Sequence, residues 1–235
     1  MARSGVERGA AQGAAFIDAL QQDRERAIAA LDVSRETIAR LDLYVGLLLK
    51  WQKAINLVAP STLPAIWTRH ILDSAQIADL GAEHRLWADL GAGAGFPGMV
   101  IALMQQSRHP DCTVHLVESD RRKASFLMEA VRISGAPAIV HADRIETVAA
   151  SLAGRVTAVT ARALAPLPKL LELAEPLLTS GADGFFPKGQ ALDLEIEQAL
   201  TLFRFDMRLV PSRTETSAKI AVIRAFRRRE ASLDR

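Results

Sequence analysis

Cysteine is nearly absent from this chain. Cys112 is the single one in 235 residues, so an internal disulfide and a multi-cysteine zinc site are both excluded. No apolar run reaches bilayer-spanning length, and the first residues lack the apolar centre of a signal peptide. A cytoplasmic protein with no membrane partner is expected. Internal repeats and low-complexity tracts are missing. Neither sign of charge dominates: 29 Lys and Arg against 27 Asp and Glu leave a net charge of +2. That balance permits nucleic acid as a partner without demanding it. With 49% hydrophobic and 24% charged residues, the composition is that of a globular chain with one sizeable core and an appendage.

What is present centres on one stretch, Leu86-Trp87-Ala88-Asp89-Leu90-Gly91-Ala92-Gly93-Ala94-Gly95-Phe96-Pro97-Gly98. It reads as a buried strand ending in an acid, a glycine loop and a helix start, with Pro97 suited to the first helical turn. Such a loop lets backbone come close to a ligand and points free N–H groups at it. Gly93-x-Gly95-x-x-Gly98 matches the dinucleotide fingerprint, with Glu118 about 20 residues beyond. Gly91 and the preceding Asp89 argue against that reading. An acid followed by Gly-x-Gly-x-Gly resembles the first motif of class I S-adenosylmethionine methyltransferases. In those enzymes the loop wraps an amino-acid tail, and an acid can serve its ammonium end.

Four segments are expected: a loose tail over 1–15, a helical cap over 16–82, a sheet domain over 83–226 and a basic tail over 227–235. In the cap, Ala14 to Leu31 reads as one helix. Ser34 caps a second, with Ile38, Leu41, Val45, Leu48 and Ile55 on one face, and Pro64 opens a third through Asp79. From Leu86 the pattern becomes strand–helix alternation, the mark of a parallel sheet covered on both faces. Strands are expected at Leu86–Leu90, Thr113–Val117, Ile139–His141, Val156–Thr160 and Gly184–Pro187. A closing pair follows at Asp206–Val210 and Lys219–Ala225. Helices are expected at Arg121–Ser134, Pro168–Leu178 and Ala191–Phe203.

Ligands of open α/β sheets sit at the carboxyl ends of the strands. Those ends carry Asp89 with the glycine loop, Glu118, the Asp143–Glu146 loop, Arg162 and Lys188. Glu118 is placed to accept two hydrogen bonds from a ribose diol. After the fourth strand stands Thr160-Ala161-Arg162-Ala163. It lacks the Asn/Asp-Pro-Pro-aromatic run used on exocyclic amines, the cysteine used on pyrimidine carbon 5, and the acids that would hold a metal. No metal site is expected. What remains is an acceptor atom that is already nucleophilic, such as guanine N7, with catalysis by positioning and electrostatics. In the cap, Arg69-His70-Ile71-Leu72-Asp73-Ser74 places Asp73 one helical turn after His70, so two readings stay open from spacing, an imidazole steadied by Asp73 and a structural histidine.

Ile55-Asn56-Leu57, Arg69-His70-Ile71-Leu72-Asp73-Ser74, Asp89 to Gly98, Arg162-Ala163-Leu164 and Phe186-Pro187-Lys188-Gly189 together resemble the ribosomal RNA small subunit methyltransferase G family, also called glucose-inhibited division protein B. The resemblance runs from about Tyr44 to Gln190. It implies a class I methyltransferase sheet, Rossmann-like and mostly parallel with an antiparallel C-terminal strand, preceded by a helical cap. It implies 7-methylation of one guanosine of 16S rRNA near the decoding centre, with S-adenosylmethionine as donor. The partner would be the small ribosomal subunit or its assembly intermediate, and the enzyme a monomer. Matched residue by residue, cofactor contacts fall on Gly91, Phe96, Ile145, Glu146 and Arg162. Gly93 and Glu118 join them from the general methyltransferase pattern. Asn56, Arg69, His70, Lys123 and Lys188 match positions facing RNA or the target base: Arg69 and Lys123 as RNA contacts, and His70, Lys188 and Asn56 as residues that position the guanine. Ala161 stands where the family often has Ser. The segments Ser212 to Glu215 and Ala218-Lys219 also depart from its pattern.

Overall fold

A computed structural model describes the backbone of residues 3–229 and the side chains from residue 12 onward. The chain opens with α1 (Arg3–Ala29) and α2 (Arg35–Trp51). The backbone of residues 3–15 is therefore helical where a loose tail is expected, while Met1 and Ala2 lie outside the described residues. Ser34 caps α2, its hydroxyl oxygen accepting the Thr37 N–H at 3.2 Å. The helix stops at Trp51 rather than continuing to Ile55, because the Gln52 side chain ties the next loop. Its Oε1 accepts the Leu57 and Val58 N–H groups, and its Nε2 donates to the Val58 carbonyl.

The third cap helix expected from Pro64 is instead three pieces: a 3₁₀ turn at Pro60–Ala65, a π-helical turn at Trp67–Leu72, and α3 (Asp73–Leu80). The reason is tertiary. Asp23 of α1 is buried and accepts the N–H groups of Trp67 and Thr68 at 2.9 and 3.1 Å, and the Thr68 hydroxyl at 2.5 Å. A partner 44 residues away thus starts the turn that carries Arg69 and His70.

The sheet domain follows as β1 (Leu86–Leu90), α4 (Gly98–Arg108), β2 (Thr113–Val117), α5 (Arg121–Ser134), β3 (Ala138–His141), α6 (Ile145–Leu152), β4 (Ala158–Thr160), α7 (Leu167–Thr179), β5 (Asp183–Lys188), α8 (Leu192–Leu202), β6 (Phe203–Pro211) and β7 (Lys219–Arg228). β7 takes in Arg227 and Arg228 of the expected basic tail, and residues 230–235 lie outside the described ones. The strand order is β3-β2-β1-β4-β5-β7-β6, parallel except for β7, which runs antiparallel to both β5 and β6. From Trp87 to Leu90, β1 is buried without a break, as expected of a strand covered on both faces. One core lies between the sheet and α4, α5 and the cap, and a second between the sheet and α6, α7 and α8. The order reverses between β1 and β4, which opens the crevice at their carboxyl ends. Among the described residues, no helix is long and apolar enough to cross a membrane.

Candidate functional site

The glycine loop between β1 and α4 is held from three sides. Glu118, just past β2, accepts the Gly93 N–H on Oε2 at 2.9 Å and the Asp120 N–H on Oε1 at 2.7 Å. From the cap, the Tyr44 hydroxyl donates to the Ala94 carbonyl. From below, Asp89 Oδ2 accepts the Gly98 N–H at 2.9 Å. Asp89 is fully buried, its Oδ1 has no hydrogen-bond partner among the described residues, and burial pushes its carboxyl up to about 7. It therefore shapes the loop and the start of α4, and does not face the cavity as an acid serving a ligand's ammonium end would. Gly91 has a φ of +69°, and a Cβ there would stand 2.7 Å from Leu164. A side chain at that position would be strained and would fill the cradle.

Around this loop lies a cavity of about 350 Å³ that brings together Gly91, Gly93, Phe96, Glu118, Ile145 and Arg162. Lys123, matched to an RNA-facing position, also lines it, in the first turn of α5, where Asp120 caps the helix. Glu146 is exposed and stays outside the lining, as does Asp143, because α6 turns away after Ile145. Leu164 of the Arg162-Ala163-Leu164 motif and Val58, which follows Asn56-Leu57, line the cavity too, as does Ser119, which sequence reasoning did not single out.

A second cavity of about 490 Å³ adjoins the first, and Arg162 and Ala163 line both. It brings together Arg69, His70 and Lys188, but not Asn56, which is exposed on the loop after α2. His70 stacks on Phe96 at 4.9 Å between ring centres, and the Arg162 guanidinium lies 5.2 Å over the same ring. An Asp73–His70 pair does not form. The π-helical turn swings the imidazole toward Arg162, whose Nη2 donates to His70 Nδ1 at 2.7 Å. Asp73 instead accepts from the Thr214 hydroxyl at 2.6 Å and lies 3.5 Å from Arg162.

The network assigns the His70 tautomer. Arginine has no acceptor, so Nδ1 must accept. Nε2 then carries the proton and donates to Thr62 Oγ1 at 2.9 Å, and Thr62 passes its own proton to the Ala59 carbonyl at 2.8 Å. Burial, then the Arg162 and Arg69 charges, push the imidazole down to about 3. His70 is thus a fixed, neutral plate rather than a cation for phosphate.

Each of the four cations lining this cavity has its own carboxylate: Arg162 with Asp73 at 3.5 Å, Lys188 with Glu195 at 2.6 Å, Arg69 with Glu215 at 2.7 Å and Lys219 with Asp193 at 3.5 Å. Glu195 and Glu215 were invisible as site residues in the sequence. Glu215 lies 146 positions from Arg69 and reaches it only through the β6–β7 loop. At the other end of the sheet, Glu83, His84 and Asp183 bring three potential metal ligands within 4.8 Å of one another. Arg224 lies against both of those carboxylates, so the chain supplies its own cation there.

The two cavities are thus joined through one shared wall. A family model described as rRNA small subunit methyltransferase G matches residues 37–221. The chain is 50% identical over 201 residues to the protein of that name from Methylobacterium sp. (strain 4-46), covering 86% of this chain and 94% of the relative. It is 48% identical over 216 residues to its counterpart in Bradyrhizobium sp. (strain ORS 278), covering 92% and 97%. An O-methyltransferase from Bacillus cereus, solved in complex with SAH, superposes with a TM-score of 0.55 at 12% identity, covering 89% of this chain and 99% of that one. That last likeness shows the fold.

Proposed function

The chain belongs to the rRNA small subunit methyltransferase G family, and from that premise we propose that it methylates N7 of one guanosine of 16S rRNA in the small ribosomal subunit. The cofactor is S-adenosylmethionine, and the donors around the first cavity fit it. Glu118 is immobilised by two backbone N–H groups yet keeps lone pairs for a ribose diol. The Gly91 cradle would be filled by any Cβ. Phe96, Ile145 and Arg162 complete the lining. When bound, the cofactor supplies a methyl group on a positively charged sulfur, and guanine N7 takes it through an in-plane lone pair without losing a proton.

The chain's own groups suit such a transfer. No base is needed, and His70 is held neutral with its one proton committed to Thr62. The charge that passes to the guanine meets no bare cation, because Arg162 and Lys188 are both balanced by carboxylates. His70 and Phe96 stack on each other, His70 lining the second cavity and Phe96 the first. Lys188 gripping O6 would steady the base without deprotonating it. Arg69 faces the backbone of the RNA, and Asn56 meets the RNA from the exposed loop. Lys123 and Glu146 act at the cofactor's margin. A single chain supplies both cavities, so a monomer working in the cytoplasm suffices.

The observation that carries this reading is the wall of Arg162 and Ala163 common to both cavities. Its test is methyl transfer from labelled S-adenosylmethionine to small subunits that lack the modification, followed by nucleoside separation. Label in 7-methylguanosine is the expected result. Label in another nucleoside, or cofactor binding with no transfer, overturns it.

A further inference from the structure

Lys188, at the end of β5, and Glu195, in the first turn of α8, meet across the second cavity with Nζ 2.6 Å from Oε2. Their side chains are only 11% and 16% exposed, so this is not one of the weak, fully hydrated surface pairs. Lys188 is anchored to the segment between β4 and α7, and Glu195 to the first residue of α7. Glu195 Oε2 accepts the Leu167 N–H at 2.7 Å, and Lys188 donates one N–H to the Ala165 carbonyl at 2.9 Å.

Each head keeps something in reserve. An ammonium has three N–H groups; the Ala165 carbonyl takes one, and the carboxylate lies beside the head as an ion pair. Among the described residues no hydrogen bond reaches Glu195 Oε1. The other carboxylates at this cavity are differently placed. Asp73 Oδ1 serves Thr214 and Gln76, while Glu215 serves Arg69 and Ser217. The pair thus presents one fixed donor beside one fixed acceptor.

We infer that Glu195 is a specificity-determining residue that, with Lys188, selects guanine as the base to be methylated; this rests on the proposed reading of guanosine N7 as acceptor. Guanine carries an acceptor, O6, next to a donor, N1–H. Adenine carries the reverse, a donor at N6 next to an acceptor at N1. Lys188 gives a spare N–H to O6, and Glu195 Oε1 takes the N1–H. An ammonium cannot accept and an ionised carboxylate cannot donate, so the pair cannot turn to suit adenine. A wrong base leaves buried polar groups unmatched, which is how a polar site rejects an analogue strongly. O6 lies beside N7 on the same edge of the purine, so this grip leaves the N7 lone pair open.

The test compares small subunits carrying guanosine or 2,6-diaminopurine at the acceptor position. The analogue keeps N7 and the 2-amino group and reverses the pattern at positions 6 and 1. Wild-type protein is expected to prefer guanosine strongly. In Glu195→Gln the amide oxygen stays with the Leu167 N–H and Lys188, so the NH2 group takes the place of Oε1; the guanosine-to-diaminopurine rate ratio narrows by about ten- to a hundredfold, with cofactor affinity near wild type. Glu195→Asp keeps a carboxylate and retains the ratio even where its rate falls. A variant that slows both substrates equally, leaving the ratio unchanged while 7-methylguanosine is still the product, overturns the assignment and reduces Glu195 to a support for Lys188. Label in a different nucleoside with wild-type protein fells the reading of the acceptor, and this assignment with it.

Discussion

The Arg162 guanidinium donates to His70 Nδ1 at 2.7 Å, and that one contact decides what the imidazole can do. With Nδ1 accepting and Nε2 donating to Thr62, the ring has no free lone pair for a substrate proton. Burial, reinforced by the Arg162 and Arg69 charges, holds it at about 3. The single-turnover methylation rate is therefore expected to show no inflection from His70 between pH 6 and 8. A rise through that range in wild type that disappears in His70→Asn would make His70 a general base. Stability follows with a definite sign. A depressed imidazole contributes fully above its ordinary range near 6.5, and that contribution is lost as pH falls toward 3.

Asp89 has the opposite sign. Burial raises its carboxyl to about 7, so its contribution to stability is complete below about pH 4, the ordinary aspartate range, and is lost as pH rises through 7. Asp89→Asn keeps an oxygen for the Gly98 N–H and removes a buried charge. The variant is expected to be at least as stable as the parent at pH 8.5, with the gap closing toward pH 5, as read by urea unfolding. A variant clearly weaker at pH 8.5 would show that the carboxylate has a charged partner that offsets its burial.

Asp23 ties the first helix to the turn carrying His70. Removing its carboxylate leaves the N–H of buried Trp67 without a partner, a loss of about 1–3 kcal/mol. Asp23→Ala should lower the melting temperature and reduce turnover, with little change in cofactor affinity. Asp23→Asn, which retains an acceptor, should recover most of both. Equal loss of cofactor binding in the alanine variant would show that the turn supports the first cavity as well.

Arg162 is expected to be irreplaceable by lysine. Its planar fork reaches His70 and Asp73 and covers the Phe96 ring, a set of contacts a single ammonium cannot reproduce. Arg162→Ala should weaken cofactor binding by about 1–3 kcal/mol, and Arg162→Lys should restore less than half of it by calorimetry. Unchanged affinity in the alanine variant would remove Arg162 from the cofactor's contacts.

The sheet was legible because its signals are local. Asp120 caps α5 and Gly135 ends it at φ +64°, so that helix is set by residues at its own two ends. The ends of β1 and β2 are set by short apolar runs and the acids that follow. The site was legible only where a residue stands at a strand end, as Glu118, Arg162 and Lys188 do. What escaped was partnership. Neighbouring positions allowed an Asp73–His70 pair, yet the π-helical turn, begun by Asp23 from α1, gave His70 to Arg162 and Asp73 to Thr214. Glu195 follows Lys188 by only seven positions, but a strand end and a helix start intervene, and no periodicity spans that junction.

The wall of Arg162 and Ala163 belongs to two compartments at once, and thermodynamics attaches a condition to such sharing. If filling the first cavity shifts that wall and thereby changes affinity in the second, filling the second must change affinity in the first by the same factor. Ala163 holds a left-handed φ of +53°, so this segment already sits in a sparsely populated backbone state that its surroundings maintain. Where that condition holds, two residues carry the coupling, and the occupant of the second cavity sets the affinity of the first.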